Sequence, residues 1–335
     1  MHTECKPLTG RNVLLIGIGF YDYELAIADE LRRQGATVFL YDELPSYLRR
    51  GALASLLRSY KVDVRGQVRI HHEKILNEVS GHHIDHLLVI KGEHITPWLL
   101  DSLRAAHRKV QLISYHWDSL ARYPSLVGLQ SYFDKVYTFD VEDAKRFPGF
   151  NLRPLFYRPE ITQKLSNAVN KIYDLSFVGW LHHDRLNQIQ DIDQWSRKQG
   201  LSNFFYLYTG FFSKLRLRMQ GKGNFVKSKS IKFADYVNLL HASAIIVDLP
   251  HPEQTGLTMR AIESIGAKKK LITSSKNISQ YEFYNPNNIL IIDPSEIVID
   301  PSFITSPYNE IDDSIIKKYS LRSWVSDIFE MSLSN

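Results

Sequence analysis

Residues 245–273 read IIVDLPHPEQTGLTMRAIESIGAKKKLIT and contain four structural signals in succession. The apolar, β-branched run that ends at Asp248 is typical of a buried strand. Two prolines interrupt the pattern, and a helical spacing then runs from Met259 to Ile265. Lys270–Thr273 is strand-like again. The segment therefore predicts a strand, a loop, a helix and a parallel strand.

The same alternation of strand and helix patterns extends through the chain of 335 residues. Val13–Ile18, Tyr23–Gln34 and Thr37–Tyr41 open it as a β–α–β unit. Further strands are predicted at Val68–His71, His86–Ile90, Val110–Tyr115, Lys135–Phe139, Leu175–Val178, Phe204–Tyr208 and Asn288–Ile292, with helices that include Leu126–Phe133 and Leu186–Lys198 between them. The pattern predicts an α/β protein whose parallel sheets are covered on both faces.

The alternation stops between Phe147 and Lys171, where prolines and polar residues predict a connection between domains. We place the domains at residues 1–156 and 157–319. Residues 320–335 are predicted to form an amphipathic helix that packs back on the first domain. Two Rossmann-like domains of this kind are expected to face a central cleft, with ligands at the carboxyl ends of their strands.

Composition excludes several classes of protein. A chain with 44% hydrophobic and 23% charged residues is not disordered. Cys5 is the single cysteine, the polar residues Thr3–Lys6 are unlike a signal peptide, and no apolar run approaches the roughly 18 residues of a membrane-spanning helix. These features predict a cytoplasmic location. The net charge of +5 is compatible with an anionic ligand or a membrane surface and does not indicate nucleic acid.

Two places in the second half carry residues suited to a nucleotide. Gly179 ends a predicted strand and Arg185 begins the next helix, where backbone N–H groups and a guanidinium suit a pyrophosphate. Arg260 and Glu263 lie at i and i+3 near a helix start, and Glu263 offers two acceptors to a sugar diol. The alternatives are a surface ion pair between Arg185 and Asp184 and an intrahelical pair between Arg260 and Glu263.

The first half offers three candidate bases. Glu93, His116 and Asp118 follow two predicted strands, and a sheltered carboxylate or imidazole can take a proton from a hydroxyl. The alternative is that His116 packs at a strand end and Asp118 caps a helix. Gly17 and Gly19 begin a dinucleotide fingerprint, but Asp22 replaces its third glycine, which disfavours a nicotinamide enzyme.

The order of Phe177–Gly179, Val247–Asp248, the Gln254–Glu263 loop and helix, and Lys270–Thr273 resembles the donor domain of GT-B glycosyltransferases. In particular it is similar to bacterial polysaccharide and lipopolysaccharide transferases of the CgeB-like type. The resemblance implies a nucleotide-sugar donor as substrate, a glycan or lipid-linked acceptor, and no permanently bound cofactor or metal. It implies that Glu263 holds the ribose, and that the rest of the donor site is formed by Gly179, Arg185, Gln254, Thr255, Gly256, Thr258 and Arg260.

Retaining enzymes of this kind often carry a second glutamate eight positions before the one at Glu263, and Thr255 stands there. This departure favours an inverting transferase, which needs a base from the first domain. Glu93, His116 and Asp118 all remain candidates for that base. The alternative is a non-catalytic two-domain protein that binds a sugar or a phosphate.

The histidine pairs at 71–72, 82–83 and 182–183 have no cysteine or carboxylate at a familiar ligand spacing, so no metal site is predicted. The segment from Lys214 to Lys232 is basic and holds no acidic residue. It is predicted to contact anionic lipid at the cytoplasmic face of the membrane or a phosphorylated acceptor, or to be a solvated loop beside the nucleotide site. Its aromatic residues are too few to favour single-stranded nucleic acid. Its cations are Lys214, Arg216, Arg218, Lys222, Lys227, Lys229 and Lys232.

Overall fold

The computed structural model of the protein describes residues 6–19, 22–49, 57, 60, 62–163, 171–182, 184–221 and 225–331. Cys5, Lys222 and His183, which were named above, lie outside the described residues. The chain divides into two compact units. Unit 1 comprises Met1–Pro154 and Arg322–Asn335, and unit 2 comprises Leu155–Leu321.

Unit 1 is built on a six-stranded parallel sheet in the order β2-β1-β3-β4-β5-β6. The strands are β1 (Asn12–Gly17), β2 (Thr37–Asp42), β3 (His86–Ile90), β4 (Gln111–His116), β5 (Lys135–Thr138) and β6 (Phe150–Leu152). The helices between them are α1 (Tyr23–Arg33), α2 (Ser46–Arg49), α3 (Arg65–Val79), α4 (Pro97–Ala106), a 3-10 helix (Pro124–Tyr132) and α5 (Val141–Arg146). Consecutive residues of β1 and β3 are fully buried, as expected for strands covered on both faces.

The prediction of a strand at Val68–His71 was wrong, because these residues lie inside α3. The buried residues of that helix are Val68, His72, Ile75 and Val79, which recur at helical spacing. A short β-branched run was therefore overridden by a longer helical pattern. The segment predicted as a helix at Leu126–Phe133 forms the 3-10 helix.

Unit 2 is built on a second six-stranded parallel sheet, in the order β12-β11-β10-β7-β8-β9. Its strands are β7 (Tyr173–Trp180), β8 (Asn203–Tyr208), β9 (Val226–Lys227), β10 (Ser243–Asp248), β11 (Lys270–Thr273) and β12 (Ile289–Ile291). Its helices are α6 (Pro159–Thr162), α7 (Arg185–Lys198), α8 (Phe211–Met219), α9 (Phe233–Ala242), α10 (Met259–Gly266), a 3-10 helix (Lys276–Gln280), α11 (Pro301–Thr305) and α12 (Asp313–Lys317). The predicted α/β class with two Rossmann-like parallel sheets is confirmed.

Each sheet has one point where the strand order reverses. In unit 1 the chain goes from β1 to β2 and then returns to place β3 on the other side of β1. In unit 2 it goes from β7 to β8 and β9 and then places β10 on the other side of β7. Ligands of open α/β sheets bind at such points, outside the carboxyl ends of the strands.

The last helix, α13 (Leu321–Ile328), contributes its residues from Arg322 onward to unit 1. Trp324 is fully buried there, and its ring meets that of Tyr115 edge-on with centroids 4.8 Å apart. Arg153 Nε lies 2.8 Å from the Asp327 carboxylate. Among the described residues, none of the helices combines the length and the apolar character needed to cross a bilayer.

Candidate functional site

A pocket of about 510 Å³ lies where β7, β10, β11 and β12 end in unit 2. It therefore coincides with the point where the strand order of that sheet reverses. Three of the predicted donor-site residues line it, namely Arg185, Gln254 and Thr255. The other lining residues include His182, Asp184, Gln188, His251, Lys276, Asn277 and Asp293.

Arg185 begins α7 and is 7% exposed. Its Nη1 donates to the carbonyl oxygen of Trp180 at 2.6 Å, and its Nη2 donates to the carbonyl oxygen of Leu249. Burial lowers the pKa of Arg185 to about 9, and the nearby cation of Arg260 acts in the same direction. A buried guanidinium in this state is stabilised by an anion in the pocket.

Arg260 joins the ends of two neighbouring strands. Its Nη1 lies 2.6 Å from Asp248 Oδ1, while its Nε and Nη2 donate to the carbonyl oxygen of Val178 at 3.1 and 2.6 Å. The guanidinium also lies over the Phe177 ring, 4.4 Å from its centroid. A Cβ atom at Gly179 would stand 2.8 Å from Arg260 Nη2, so this glycine makes room for the arginine.

Thr258 and Glu263 fix the start and the middle of α10 through hydrogen bonds. Thr258 caps the helix, because its Oγ1 accepts from the Ala261 N–H, and the same hydroxyl donates to Asp248 Oδ1 at 2.8 Å. Glu263 is 2% exposed and accepts a hydrogen bond of 2.8 Å from the Tyr236 hydroxyl. The structure thus gathers Thr258 and Arg260 around the Asp248 carboxylate, with Gly179 against Arg260, and the pocket itself is lined by other residues.

Three basic side chains of the pocket were not singled out as donor ligands from the sequence. Lys276 follows β11 and is exposed. The pKa of Asp293 is lowered mainly by hydrogen bonds from Ser295, and the charge of Lys276 lowers it further. The rings of His182 and His251 lie 5.2 Å apart. All three follow the ends of strands, and that position was the available signal.

A second pocket, of about 430 Å³, lies at the ends of β1, β2 and β3 in unit 1. It too coincides with a reversal of strand order. Of the three predicted bases, only Glu93 lines it. The other lining residues are Gly17, Ile18, Asp42, Glu43, Leu44, Leu48, Arg49, Leu57, Val62, Val64, Lys91 and His94.

Lys91 brings two of the predicted bases together. It adopts a left-handed backbone conformation with φ 70°, and Gly92 follows with φ 81°. Lys91 Nζ lies 3.0 Å from Glu93 Oε2 and 3.2 Å from Asp118 Oδ2. Burial by itself would lower the pKa of Lys91, but the two carboxylates outweigh it and raise the pKa above its ordinary value. Asp118 also pairs with Arg122 at 2.9 Å.

His116, the third predicted base, ends β4 and is 4% exposed. Its ring stacks on Phe150 with an interplanar angle of 4°, and within the described residues its Nδ1 has no hydrogen-bond partner. Burial lowers the pKa of His116 to about 4. The residue is therefore a neutral, packed imidazole that is not part of the pocket wall.

Sequence reasoning missed Glu43, which follows β2 directly. Its side chain lines the pocket although the residue is only 3% exposed, and its Oε2 accepts from the His94 N–H at 3.2 Å. Burial raises the pKa of Glu43 to about 8, against the hydrogen bond from His94, which lowers it. One carboxylate oxygen of Glu43, one of Glu93 and one ring nitrogen of His94 lie within 4.8 Å of one another. The Lys91 ammonium, which pairs with Glu93, supplies a positive charge at this place.

The sequence matches no protein-family model and no curated protein. Solved structures are similar to it over nearly the whole chain. An Anabaena protein, HepE, crystallised with UDP and glucose, has a TM-score of 0.60 and 12% identity, covering 96% of this chain and 98% of its own. AviGT4, a glycosyltransferase of avilamycin A biosynthesis, has a TM-score of 0.58 and 12% identity, covering 96% of each chain.

An α,α-trehalose-phosphate synthase (UDP-forming) from Burkholderia xenovorans, solved with glucose-6-phosphate, gives a TM-score of 0.61 at 11% identity, covering 96% of this chain and 99% of its own. At these identities the likeness concerns the fold. The chain has the two-domain fold of GT-B glycosyltransferases, and the assignment to the CgeB-like type stays a prediction.

Proposed function

We propose that the protein transfers a sugar from a nucleotide-sugar donor to a hydroxyl group of a glycan or lipid-linked acceptor, in the synthesis of a cell-surface polysaccharide. The observation that carries this proposal is the unit 2 pocket, which lies at the reversal of strand order and is lined by Arg185 and Lys276. The fold is shared with a protein crystallised with UDP and glucose and with a UDP-forming synthase, which supports a nucleotide-sugar donor.

In this proposal the donor diphosphate binds Arg185 and Lys276, with Gln254 and Thr255 beside it in the pocket wall. A guanidinium and an ammonium are suited to bind phosphate oxygens through charge-assisted hydrogen bonds. Gly179, Gly256, Thr258 and Arg260 do not line the pocket, and in this proposal they support the loops that carry these ligands. Of these, Thr258 and Arg260 act through Asp248. The Gly256 carbonyl oxygen accepts a hydrogen bond of 2.8 Å from Gln254 Nε2.

The role of Glu263 as the ribose ligand stays a prediction, because its carboxylate is buried, accepts a hydrogen bond from the Tyr236 hydroxyl and does not line the pocket. Its replacement by glutamine tests this role. If Glu263 holds the ribose, the variant weakens the binding of UDP more than that of inorganic pyrophosphate, which lacks the sugar.

The reaction we propose is a single displacement with inversion. The acceptor oxygen forms a bond to the anomeric carbon while the bond from that carbon to the diphosphate breaks, and the electron pair leaves with the nucleoside diphosphate. The negative charge that develops on the leaving group is stabilised by the cations of the unit 2 pocket. No metal ion takes part in this scheme.

We also propose that α8 contacts anionic lipid at the cytoplasmic face of the membrane. Leu215 and Met219 are 48% and 81% exposed one turn apart, and Arg216 and Arg218 lie beside them on the helix. Each cation near an anionic surface contributes about 1 kcal/mol. Cosedimentation with phosphatidylglycerol vesicles, but not with phosphatidylcholine vesicles, is the expected result, and a Met219→Glu variant should lose it.

Calorimetric titration with UDP, GDP, ADP and dTDP tests the proposed function. UDP should bind well above the other three, in keeping with the UDP crystallised with one structural neighbour and formed by another, and UDP-glucose should be turned over. Binding without turnover of any donor would favour the alternative, a non-catalytic protein that binds a sugar or a phosphate. The absence of binding by all four would contradict both the donor site and the transferase.

A further inference from the structure

We infer that Glu43 is the base that takes the proton from the acceptor hydroxyl. This inference rests on the proposed glycosyl transfer and adds to it the residue that activates the acceptor. It also moves the base away from the three positions that the sequence indicated.

The position of Glu43 is the first support. The residue follows β2 and lines the unit 1 pocket, where the sheet reverses its strand order. One carboxylate oxygen is held by the His94 N–H at 3.2 Å, which fixes the orientation of the side chain. The main-chain oxygen of Glu43 lies 3.2 Å from His72 Nε2, so the backbone is fixed as well. A catalytic group has to be held in this way on a rigid element.

The other candidates are engaged elsewhere. Glu93 and Asp118 share the Lys91 ammonium, and uptake of a proton would cost either carboxylate this ion pair. His116 stacks on Phe150 and does not line the pocket. Among the carboxyl groups of the pocket wall, Asp42 pairs with Arg49. Glu43 is the one that is held by a single backbone N–H and is not paired with a cation among the described residues.

The surroundings of Glu43 also suit a base that works near neutral pH. Burial raises its pKa to about 8, Glu93 and Glu24 add to the rise, and Lys91 and the His94 N–H oppose it. The titratable groups around Glu43 come from five elements. They are Glu24 of α1, His72 of α3, Asp42 at the end of β2, Arg49 of α2, and Lys91, Glu93 and His94 of the loop after β3. A carboxylate in such a site binds a proton more strongly than one in water.

The proposed step balances as follows. The acceptor O–H bond breaks and its proton moves to the Glu43 carboxylate. The acceptor oxygen bonds to the anomeric carbon, and the nucleoside diphosphate leaves with the electron pair of the broken bond. Glu43 then returns its proton to water before the next turnover.

The test is a pH–rate profile of UDP release from UDP-glucose, with octyl glucoside as the acceptor probe, measured alongside calorimetric binding of UDP. The wild type should gain activity up to about pH 8. Glu43→Gln should lower kcat by about 10²- to 10⁴-fold and lose this pH dependence, while its affinity for UDP stays within about twofold. Glu73→Gln, the same exchange on α3 at a side chain that is 46% exposed and pairs with Arg69, should behave as the wild type.

A Glu43→Gln variant that keeps both its turnover and the rise with pH would overturn the inference and leave the transferase intact. A wild type that does not bind UDP and does not release it from UDP-glucose would overturn the proposed function itself. Because glutamine has the shape of glutamate, we expect the variant to fold. The shorter Glu43→Asp variant provides a second measure, since it should retain the pH dependence at a reduced rate.

Discussion

Arg260 Nη1 and Asp248 Oδ1 form an ion pair of 2.6 Å at the carboxyl end of β10. Asp248 is fully buried, and its two oxygens also accept from the hydroxyls of Thr258 and Thr273. The same arginine donates to the carbonyl oxygen of Val178 on β7. One guanidinium therefore links two neighbouring strands to α10, next to the pocket that we assign to the donor.

Arg260→Ala should destabilise unit 2 by about 3 kcal/mol, because it leaves a buried carboxylate without its cation. Urea unfolding measures this loss. Arg197→Ala, which removes an exposed i, i+4 pair with Asp193 on α7, is the control and should cost far less. Equal losses in the two variants would contradict the structural role of Arg260.

Gly179→Ala should destabilise the protein by about 1–3 kcal/mol, since its methyl group would stand 2.8 Å from both Arg260 Nη2 and Phe177 Cζ. Thermal unfolding measures the change. Gly210→Ala is a matched control, because a Cβ atom there would meet nothing within 4 Å. A Gly179→Ala variant as stable as this control would show that the arginine can move aside.

Lys276→Ala should weaken UDP binding by about 10- to 100-fold, the loss expected for a charged hydrogen bond of about 1.5–3 kcal/mol. The side chain is exposed at the pocket wall, so the fold should be unaffected. Calorimetry gives the affinity, and Lys198→Ala, at the far end of α7, is the control. Unchanged affinity for UDP in the first variant would place the diphosphate elsewhere.

Glu43→Gln should stabilise the protein at pH 8 and have no effect below about pH 4.5. The pKa of Glu43 is raised from 4.5 to about 8 in the folded protein. The unfolded chain therefore releases its proton first, and stability falls as the pH rises through this interval. At about 1.4 kcal/mol per pKa unit the full effect is at most about 5 kcal/mol, and we expect about 2–4.

Denaturant unfolding of the wild type, Glu43→Gln and Glu73→Gln at several pH values checks this prediction. The difference between the wild type and Glu43→Gln should grow from pH 5 to pH 8, and Glu73→Gln should show no such trend. A constant difference across this range would mean that Glu43 titrates normally.

The alternation of strands and helices was enough to predict ten of the twelve strands in the described residues, since a short apolar run after each loop is the local signature of a buried parallel strand. The edge strands β6 and β9 were missed, because they have only three and two residues. The pattern also failed at Val68–His71, where a β-branched run lies within a longer helix. The rule that ligands bind at strand ends led to Arg185 and Glu93, both of which line pockets.

The partners of these residues could not be predicted, because they depend on which strands are neighbours. The alternative considered for Arg260 was an ion pair with Glu263 within the same helix, whereas the carboxylate that pairs with Arg260 is Asp248 on β10. The importance of Glu43 depends on burial and on the approach of His94 from a loop 51 residues away in sequence. Neither of these can be read from the local pattern.

The most direct test of the proposed transferase is a proton NMR experiment that follows the anomeric signals of UDP-glucose and octyl glucoside with the wild-type protein. We predict that the donor signal declines while a new glycoside signal of the opposite anomeric configuration appears, without added divalent metal and in the presence of EDTA. A donor that binds and stays intact, or a donor that does not bind, would contradict the assignment of this protein as a glycosyltransferase that uses UDP-glucose.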